Sequence, residues 1–251
     1  MKRLYKLLLA LLLVAAALPV LAQNERMFIY GTDGTKLISL AVSEIDSVTF
    51  TESKGGETET HKYVDLGLPS GLLWAECNVG AETASADGYY FGWGETEPNA
   101  KITEASAKWH NVEYPYAELA AEDDAATVLW GSPWRIPTKD DVAELLSADN
   151  TTNTWTDDYN GTGVAGRIVK SVHNGNEIFF PAAGIMYNGN AMGKGSYCMY
   201  WTSTPYYVDG MTTFINQCAY NLTGVGSGQG LAGTYGFRSD GCSVRAVRAG
   251  K

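Results

Sequence analysis

This sequence predicts an α+β fold with mostly antiparallel strands and about two helices, preceded by a small three-stranded β unit. Three observations carry that reading. Aromatics and glycine are abundant, with 15 Tyr, 7 Trp and 28 Gly against 8 Pro, which suits many short strands joined by glycine turns. Both helical patterns fall before Asn150 and strand patterns dominate after it, so the order is not the alternating βαβ kind. A polar stretch with no apolar side chain, Thr51–Thr60, separates a short N-terminal part from the rest.

The chain starts with Lys2, Arg3 and Lys6, then an apolar run from Leu7 to Leu18, broken by Pro19. Val20, Leu21 and Ala22 close the segment before Gln23 as a small-residue cleavage site. A charged start, a short apolar run and such a site read as a removable secretory signal over residues 1–22. A membrane anchor needs roughly 20 apolar residues, and this run is shorter. No cysteine stands at the cut to carry an acyl chain, and no later stretch is apolar enough to span a bilayer. The expectation is an exported protein of the cell surface or the extracellular space, with the periplasm as the alternative, and no membrane insertion after cleavage.

Net charge is −10, and loss of the three cations of the signal takes the mature chain to −13. That surface repels nucleic acid and anionic lipid, so neither is expected as a partner.

The N-terminal unit spans residues 25–52. Arg26–Tyr30 and Lys36–Val42 read as strands around the turn Thr32-Asp-Gly-Thr35, and Ser47–Phe50 as a third. Three strands bury little alone, so the unit is expected to pack on something else. A linker over 53–61 leads into the main domain, 62–249. There Lys62–Leu66 and Leu72–Ala75 read as strands, and Gly88–Trp93 as another. Ala117–Leu129 is acidic and alanine-rich, a helix pattern. Thr138 opens the clearest helix, capping the amide of Asp141, with Val142, Leu145 and Leu146 on one apolar face. Val164–Val172 and Glu177–Phe180 flank Asn174-Gly175, a strong hairpin signal. Tyr197–Ser203, Thr212–Leu222 and Ser243–Arg248 complete the strands, and the glycine-rich run Thr223–Gly236 reads as a mobile loop.

Cys77, Cys198, Cys218 and Cys242 are an even set in an exported chain, which suggests two disulfides. Cys198 and Cys218 lie equally far from Val208, so a hairpin centred there sets them opposite each other and leaves Cys77 to pair with Cys242. The alternative is four buried free thiols.

The run Tyr63-Val-Asp-Leu-Gly-Leu-Pro-Ser-Gly-Leu-Leu-Trp-Ala-Glu-Cys-Asn-Val-Gly80 opens a series of motifs. Gly88–Glu95, Trp134–Thr138, Phe180–Gly184, Tyr200–Thr204 and Ser243–Arg248 follow in order. Together they resemble the Fibrobacter succinogenes major paralogous domain, common in exported proteins of Bacteroidetes, over nearly all of residues 62–249. The Met27–Phe50 unit resembles the short segment that often precedes this domain. The resemblance implies a C-type-lectin-like fold, akin to that of formylglycine-generating enzymes. It implies no settled activity, and fold alone supplies none.

Familiar catalytic patterns are missing from the sequence. His61, His110 and His173 lie far apart, no Gly-x-Ser-x-Gly elbow occurs, and the cysteines form no Cys-x-x-Cys pair. Asp123-Asp124 and Asp157-Asp158 read as solvated faces rather than a glycosidase dyad. Glu97-Pro98-Asn99 spells a tripeptide that mannose-binding C-type lectins use for calcium and sugar. Here it precedes the capped helix and lacks a Trp-Asn-Asp partner, so it reads as an exposed loop. No metal, catalytic residue or cofactor is expected. Arg245 and Arg248 are read as ion-pair partners.

Trp74, Trp134 and Trp201 sit in apolar motifs and are expected in the core. Trp155, Tyr187, Tyr206 and Tyr207 have polar or turn neighbours and are the candidate ligand contacts, suited to stacking on sugar rings or anchoring a protein. The expected function is a non-catalytic binding module for glycan or a cell-surface protein. A structural or fimbria-associated surface component is the alternative.

Overall fold

The computed structural model describes residues 26–30, 36–41, 61–207, 216–228 and 230–250. The chain divides into two units, Met1–Thr58 and Glu59–Lys251. In the first, β1 (Arg26–Tyr30) pairs antiparallel with β2 (Lys36–Ala41), from Arg26↔Ala41 to Tyr30↔Lys36. The expected signal segment, third strand and linker stretch 53–60 lie outside the described residues.

The second unit is α+β. Its elements run β3 (Tyr63–Asp65), β4 (Leu72–Ala75), α1 (Ala125–Trp130), α2 (Lys139–Leu146), β5 (Thr151–Thr156), β6 (Gly166–Ser171) and β7 (Glu177–Pro181). Then come β8 (Ile185–Tyr187), β9 (Asn190–Met192), β10 (Tyr197–Pro205), β11 (Cys218–Val225), β12 (Ala232–Phe237) and β13 (Val247–Ala249). Among the described residues these strands form four small antiparallel sheets, ordered β10-β11-β12, β13-β4-β3, β5-β6-β7 and β8-β9.

Local chemistry explains the best-defined elements. The Thr138 hydroxyl accepts from the Asp141 amide at 3.1 Å, and the Asp141 carboxylate accepts from the Thr138 amide at 2.7 Å. This reciprocal cap satisfies two amides at the start of α2. Val142 and Leu145 then enter the core as the spacing predicts. In the β6–β7 hairpin, Gly175 adopts φ +79°, the turn conformation that glycine enters without strain.

Four expectations change. The helix over Ala117–Leu129 is cut in two, a 3₁₀ turn at Ala121–Asp123 and then α1. Asp124 interrupts it in an extended conformation, its carboxylate accepting from the amides of Thr127 at 2.9 Å and Ile136 at 2.8 Å. Gly88–Trp93 is not a strand; only Phe91 bridges, to Cys242. Indoles hold this segment instead, with Trp201 Nε1 donating to Phe91 O at 2.7 Å and Trp93 Nε1 to Thr202 O at 2.9 Å. Both ends of the supposed loop Thr223–Gly236 are strand, Thr223–Val225 closing β11 and Ala232–Gly236 lying in β12, with β11 and β12 paired from Cys218↔Phe237 to Thr223↔Ala232. Lastly, the β10–β11 register sets Cys198 opposite Gly224, with Cys218 at the far end of the ladder beside Tyr206.

Two apolar clusters fill the interior. One gathers Leu66, Trp74, Val142, Leu145, Phe180 and Tyr200; the other gathers Phe91, Trp93, Trp134, Trp201 and Val244. Trp74, Trp134 and Trp201 are buried, as expected.

Arg238 and Arg245 are also fully buried, at 0% exposure each. Neither forms an ion pair among the described residues. Arg245 donates to Asn78 Oδ1 at 2.8 Å, to the carbonyls of Ala75 at 3.1 Å and Glu76 at 2.9 Å, and to Phe179 O at 2.9 Å. Its guanidinium also lies 5.0 Å from the Phe180 ring centre. Arg245 thus clips the end of β4 to β7 across the core. The expected ion pairing of Arg245 and Arg248 is corrected here: Arg248 lies over the rings of Trp134 (5.6 Å) and Tyr63 (5.8 Å). Replacing Arg245 with Lys keeps the charge and loses the planar fork that reaches four acceptors. Urea unfolding of the full chain is expected to show a loss of about 3 kcal/mol; an unchanged midpoint contradicts this role.

Candidate ligand-binding surface

Tyr206 follows β10, and its amide donates to Cys218 O at 3.1 Å, fixing it at the start of β11. Its ring stacks on Tyr235 with centres 4.2 Å apart and planes 21° apart, and meets Tyr220 edge-on at 5.0 Å. Tyr220 and Tyr235 are direct cross-strand partners, the spacing at which aromatic pairs interact. Lys139, the first residue of α2, lies 5.3 Å over the Tyr220 ring. Three aromatic rings and one cation therefore meet at the outer part of the β10-β11-β12 sheet.

Tyr207 extends this group the other way. Its hydroxyl donates to Tyr114 O at 3.0 Å, and the Tyr114 ring is 5.8 Å from Tyr116. Tyr116, Tyr207 and Tyr235 are 58%, 46% and 47% exposed. Tyr206, Tyr220 and Tyr235 thus form one ring cluster, and Tyr207, next along the chain, is tied by its hydroxyl to the residue whose ring meets Tyr116; Tyr116, Tyr207, Tyr206 and Tyr235 are termed the tyrosine band. Beside it, Thr204 Oγ1 donates to Glu118 at 2.8 Å, and Ser203 bonds the same carboxylate.

The four sequence-predicted contacts separate. Tyr206 and Tyr207 join the band. Trp155 lies elsewhere, in β5, half-buried against the first core cluster, with its indole donating to Asp157 at 2.6 Å and Arg167 above its ring at 5.6 Å. Tyr187 is exposed at the end of β8. Tyr116, Tyr220, Tyr235 and Lys139 were not singled out by the sequence. Gly230, Gly233 and Gly236 disguise β12, although Gly233, Tyr235 and Phe237 keep a period of two.

Other candidate groups are dispersed. His61 stacks on Trp130 at 3.8 Å, His110 is buried, and His173 Nε2 meets Asn150 Oδ1 at 3.1 Å. Asp123 and Asp124 are buried, not solvated: Asp123 pairs with Lys108 and accepts from the Tyr114 hydroxyl at 3.1 Å, while Asp124 caps α1. Burial pushes the Asp124 carboxyl above its ordinary range, against the pull of its amide donors. Asp157 and Asp158 are exposed. Glu97 is exposed, and Asn99 Oδ1 accepts from the Lys101 amide at 3.0 Å. Among the described residues, no group of three or more His, Cys, Asp or Glu side chains converges as metal ligands, and no helix is long and apolar enough to cross a membrane.

The cysteines are free thiols, which corrects the expected disulfides. Cys198 donates to Phe180 O at 3.2 Å, and burial raises it to about 12 and Cys218 to about 11. Cys242 is fully buried and raised further still. Cys77 alone is half-buried; it lines a cleft of about 510 Å³ with His61, Glu76, Glu82 and Trp130. Burial raises this thiol too, against Arg245 nearby, which disfavours the nucleophilic thiolate.

No protein family, characterised protein or solved structure matches this chain.

Thiol titration tests the cysteine assignment. Four thiols per chain are expected in denaturant without reductant, and one slow-reacting thiol, Cys77, in native buffer. Two or fewer in denaturant contradict the assignment.

Proposed function

We propose that this protein is an exported, non-catalytic binding module of the cell envelope that recognises glycan or protein through surface aromatics. The observation that carries the reading is the group of Tyr116, Tyr207, Tyr206 and Tyr235, of which Tyr206 stacks on Tyr235, Tyr207 is held by its bond to Tyr114, and Tyr116, Tyr207 and Tyr235 are exposed. Such rings lose little conformational freedom on binding, and their faces suit sugar C–H groups or a partner's apolar anchors. Membership of the Fibrobacter succinogenes major paralogous domain family belongs to the same proposal and rests on the order of the sequence motifs. Export rests on the features of residues 1–22.

A second reading, a structural or fimbria-associated surface component, is favoured by the separate N-terminal unit with its β1–β2 hairpin. Deleting residues 23–60 separates the two. Loss of surface localisation with the remaining domain still folded favours assembly, and unchanged localisation counts against it.

For the binding reading, a glycan array of host and dietary polysaccharides is expected to show at least one ligand. Its affinity should drop about tenfold on Tyr206→Ala or Tyr235→Ala. An array with no signal above background overturns the glycan version.

A further inference from the structure

The β10-β11-β12 sheet ends in two unlike edges. At one, β10 is almost wholly buried, its register with β11 breaks between Trp201 and Pro205, and it closes on that proline. At the other, β12 pairs with β11 without a register shift, and its residues are exposed except the half-buried Gly236. Two bonds fix the direction of its backbone groups. The Arg238 amide donates to Gln217 O at 2.7 Å, so Gln217 faces β12; the Tyr206 amide donates to Cys218 O at 3.1 Å, so Cys218 faces β10. Alternation along β11 then turns Ala219, Asn221 and Thr223 toward β12, where their partners are Gly236, Thr234 and Ala232. The N–H and C=O groups of Gly233 and Tyr235 therefore point out from the open side. Among the described residues, no other backbone group bonds them there.

Open edges are ordinarily blunted by lysine, proline or a bulge. β12 carries none of these: it reads Ala-Gly-Thr-Tyr-Gly-Phe, with an unbroken register. No Asp, Glu, Lys, Arg or His occurs from Gly210 to Phe237, in a chain whose net charge is −10. So acidic a chain repels its own copies over most of its surface, but not at this edge. The strand also complements itself. Turned about a two-fold axis at Thr234, it sets Gly233 against Tyr235 of a second copy, and Tyr235 against that copy's Gly233. Each pair then exchanges both of its N–H···O=C bonds. We propose that β12 is a self-association edge, through which two copies of this chain join by antiparallel β12–β12 pairing centred on Thr234.

The side chains suit that register. Tyr235 meets a glycine across the pair, so the ring stacked on Tyr206 keeps its place without meeting a side chain opposite. Thr234, at the axis, faces its own copy, and its hydroxyl is already engaged within the chain by Asn221 Oδ1 at 2.5 Å. Residues directly opposite each other in antiparallel strands point to the same side of a sheet. The joined sheet, ordered β10-β11-β12-β12-β11-β10, therefore carries both Tyr206–Tyr220–Tyr235 clusters on one face. The contact itself is made by backbone groups, so it stands whether or not the tyrosine band binds glycan.

Sedimentation equilibrium of the chain from Gln23 onward tests this. A monomer–dimer equilibrium with a micromolar Kd is expected, as suits a small interface, and added salt should not weaken it, because no ion pair forms at the contact. Gly233→Pro removes an outward N–H that the β11 ladder does not use, and should weaken the dimer about tenfold or more. Gly233→Lys, whose Cβ would meet only Val142 Cγ1 at 3.9 Å, places a charge on the edge and should do the same. Circular dichroism checks that both variants fold. Amide exchange on the parent needs no variant: the Gly233 and Tyr235 amides should gain protection as protein concentration rises through the Kd. A monomer at concentrations well above the micromolar range, a dimer that either folded variant leaves unchanged, or Gly233 and Tyr235 amides whose exchange ignores concentration overturns the proposal. Loss of glycan binding without loss of the dimer bears on the tyrosine band alone.

Discussion

A guanidinium buried without a carboxylate is the interaction on which the rest of this molecule turns. An unpaired ion in a protein interior carries a penalty of several kcal/mol. Arg238 meets it with oriented dipoles. Its Nε donates to Cys218 O at 2.9 Å and its Nη1 to the carbonyls of Val112 at 3.0 Å and Trp109 at 3.2 Å. The face of Trp93 covers it at 4.4 Å. Desolvation pulls Arg238 and Arg245 below the ordinary arginine value, but a guanidinium keeps its proton through any such change.

That choice of partners has a structural consequence. A carboxylate partner ties one side chain to one other; a fork of N–H groups on carbonyls ties several backbone segments at once. Arg238 joins the end of β12, the start of β11 and the irregular stretch 109–112 that leads to Tyr114 and Tyr116. These are the segments that carry the tyrosine band. Long irregular connections can then hold side chains in place with little regular secondary structure, as the Trp93 and Trp201 indoles also do by donating to Thr202 and Phe91 carbonyls.

The legible parts of the fold are those whose cause is local. The α2 cap needs only Thr138 and Asp141, and the β6–β7 turn needs only Asn174-Gly175, so both stand where the sequence puts them. The α+β class follows in the same way from composition and element order. What stayed hidden depends on distant groups. Asp124 looks like one more acidic residue in a helix until the Ile136 amide arrives from twelve positions away. The burial of Arg238 and Arg245 was illegible for a plainer reason. Apart from the uncharged Asn78 side chain, their acceptors are backbone carbonyls, which every residue has, so no charged partner marks the site. Half of the tyrosine band was visible as Tyr206 and Tyr207; Tyr235 waited on recognising β12 behind its glycines, and Tyr116 on the distant bond that brings Tyr207 to Tyr114. The cysteine pairing failed on register, because the β10–β11 ladder is not centred on Val208.

Amide hydrogen exchange on the intact protein, comparing the parent with Arg238→Lys, tests the central claim most directly. If the buried fork holds the three segments together, exchange accelerates around residues 109–116 and at the start of β11, while α2 and the β6–β7 hairpin keep their protection. Unchanged exchange in those two regions, or uniform acceleration across the whole domain, contradicts it.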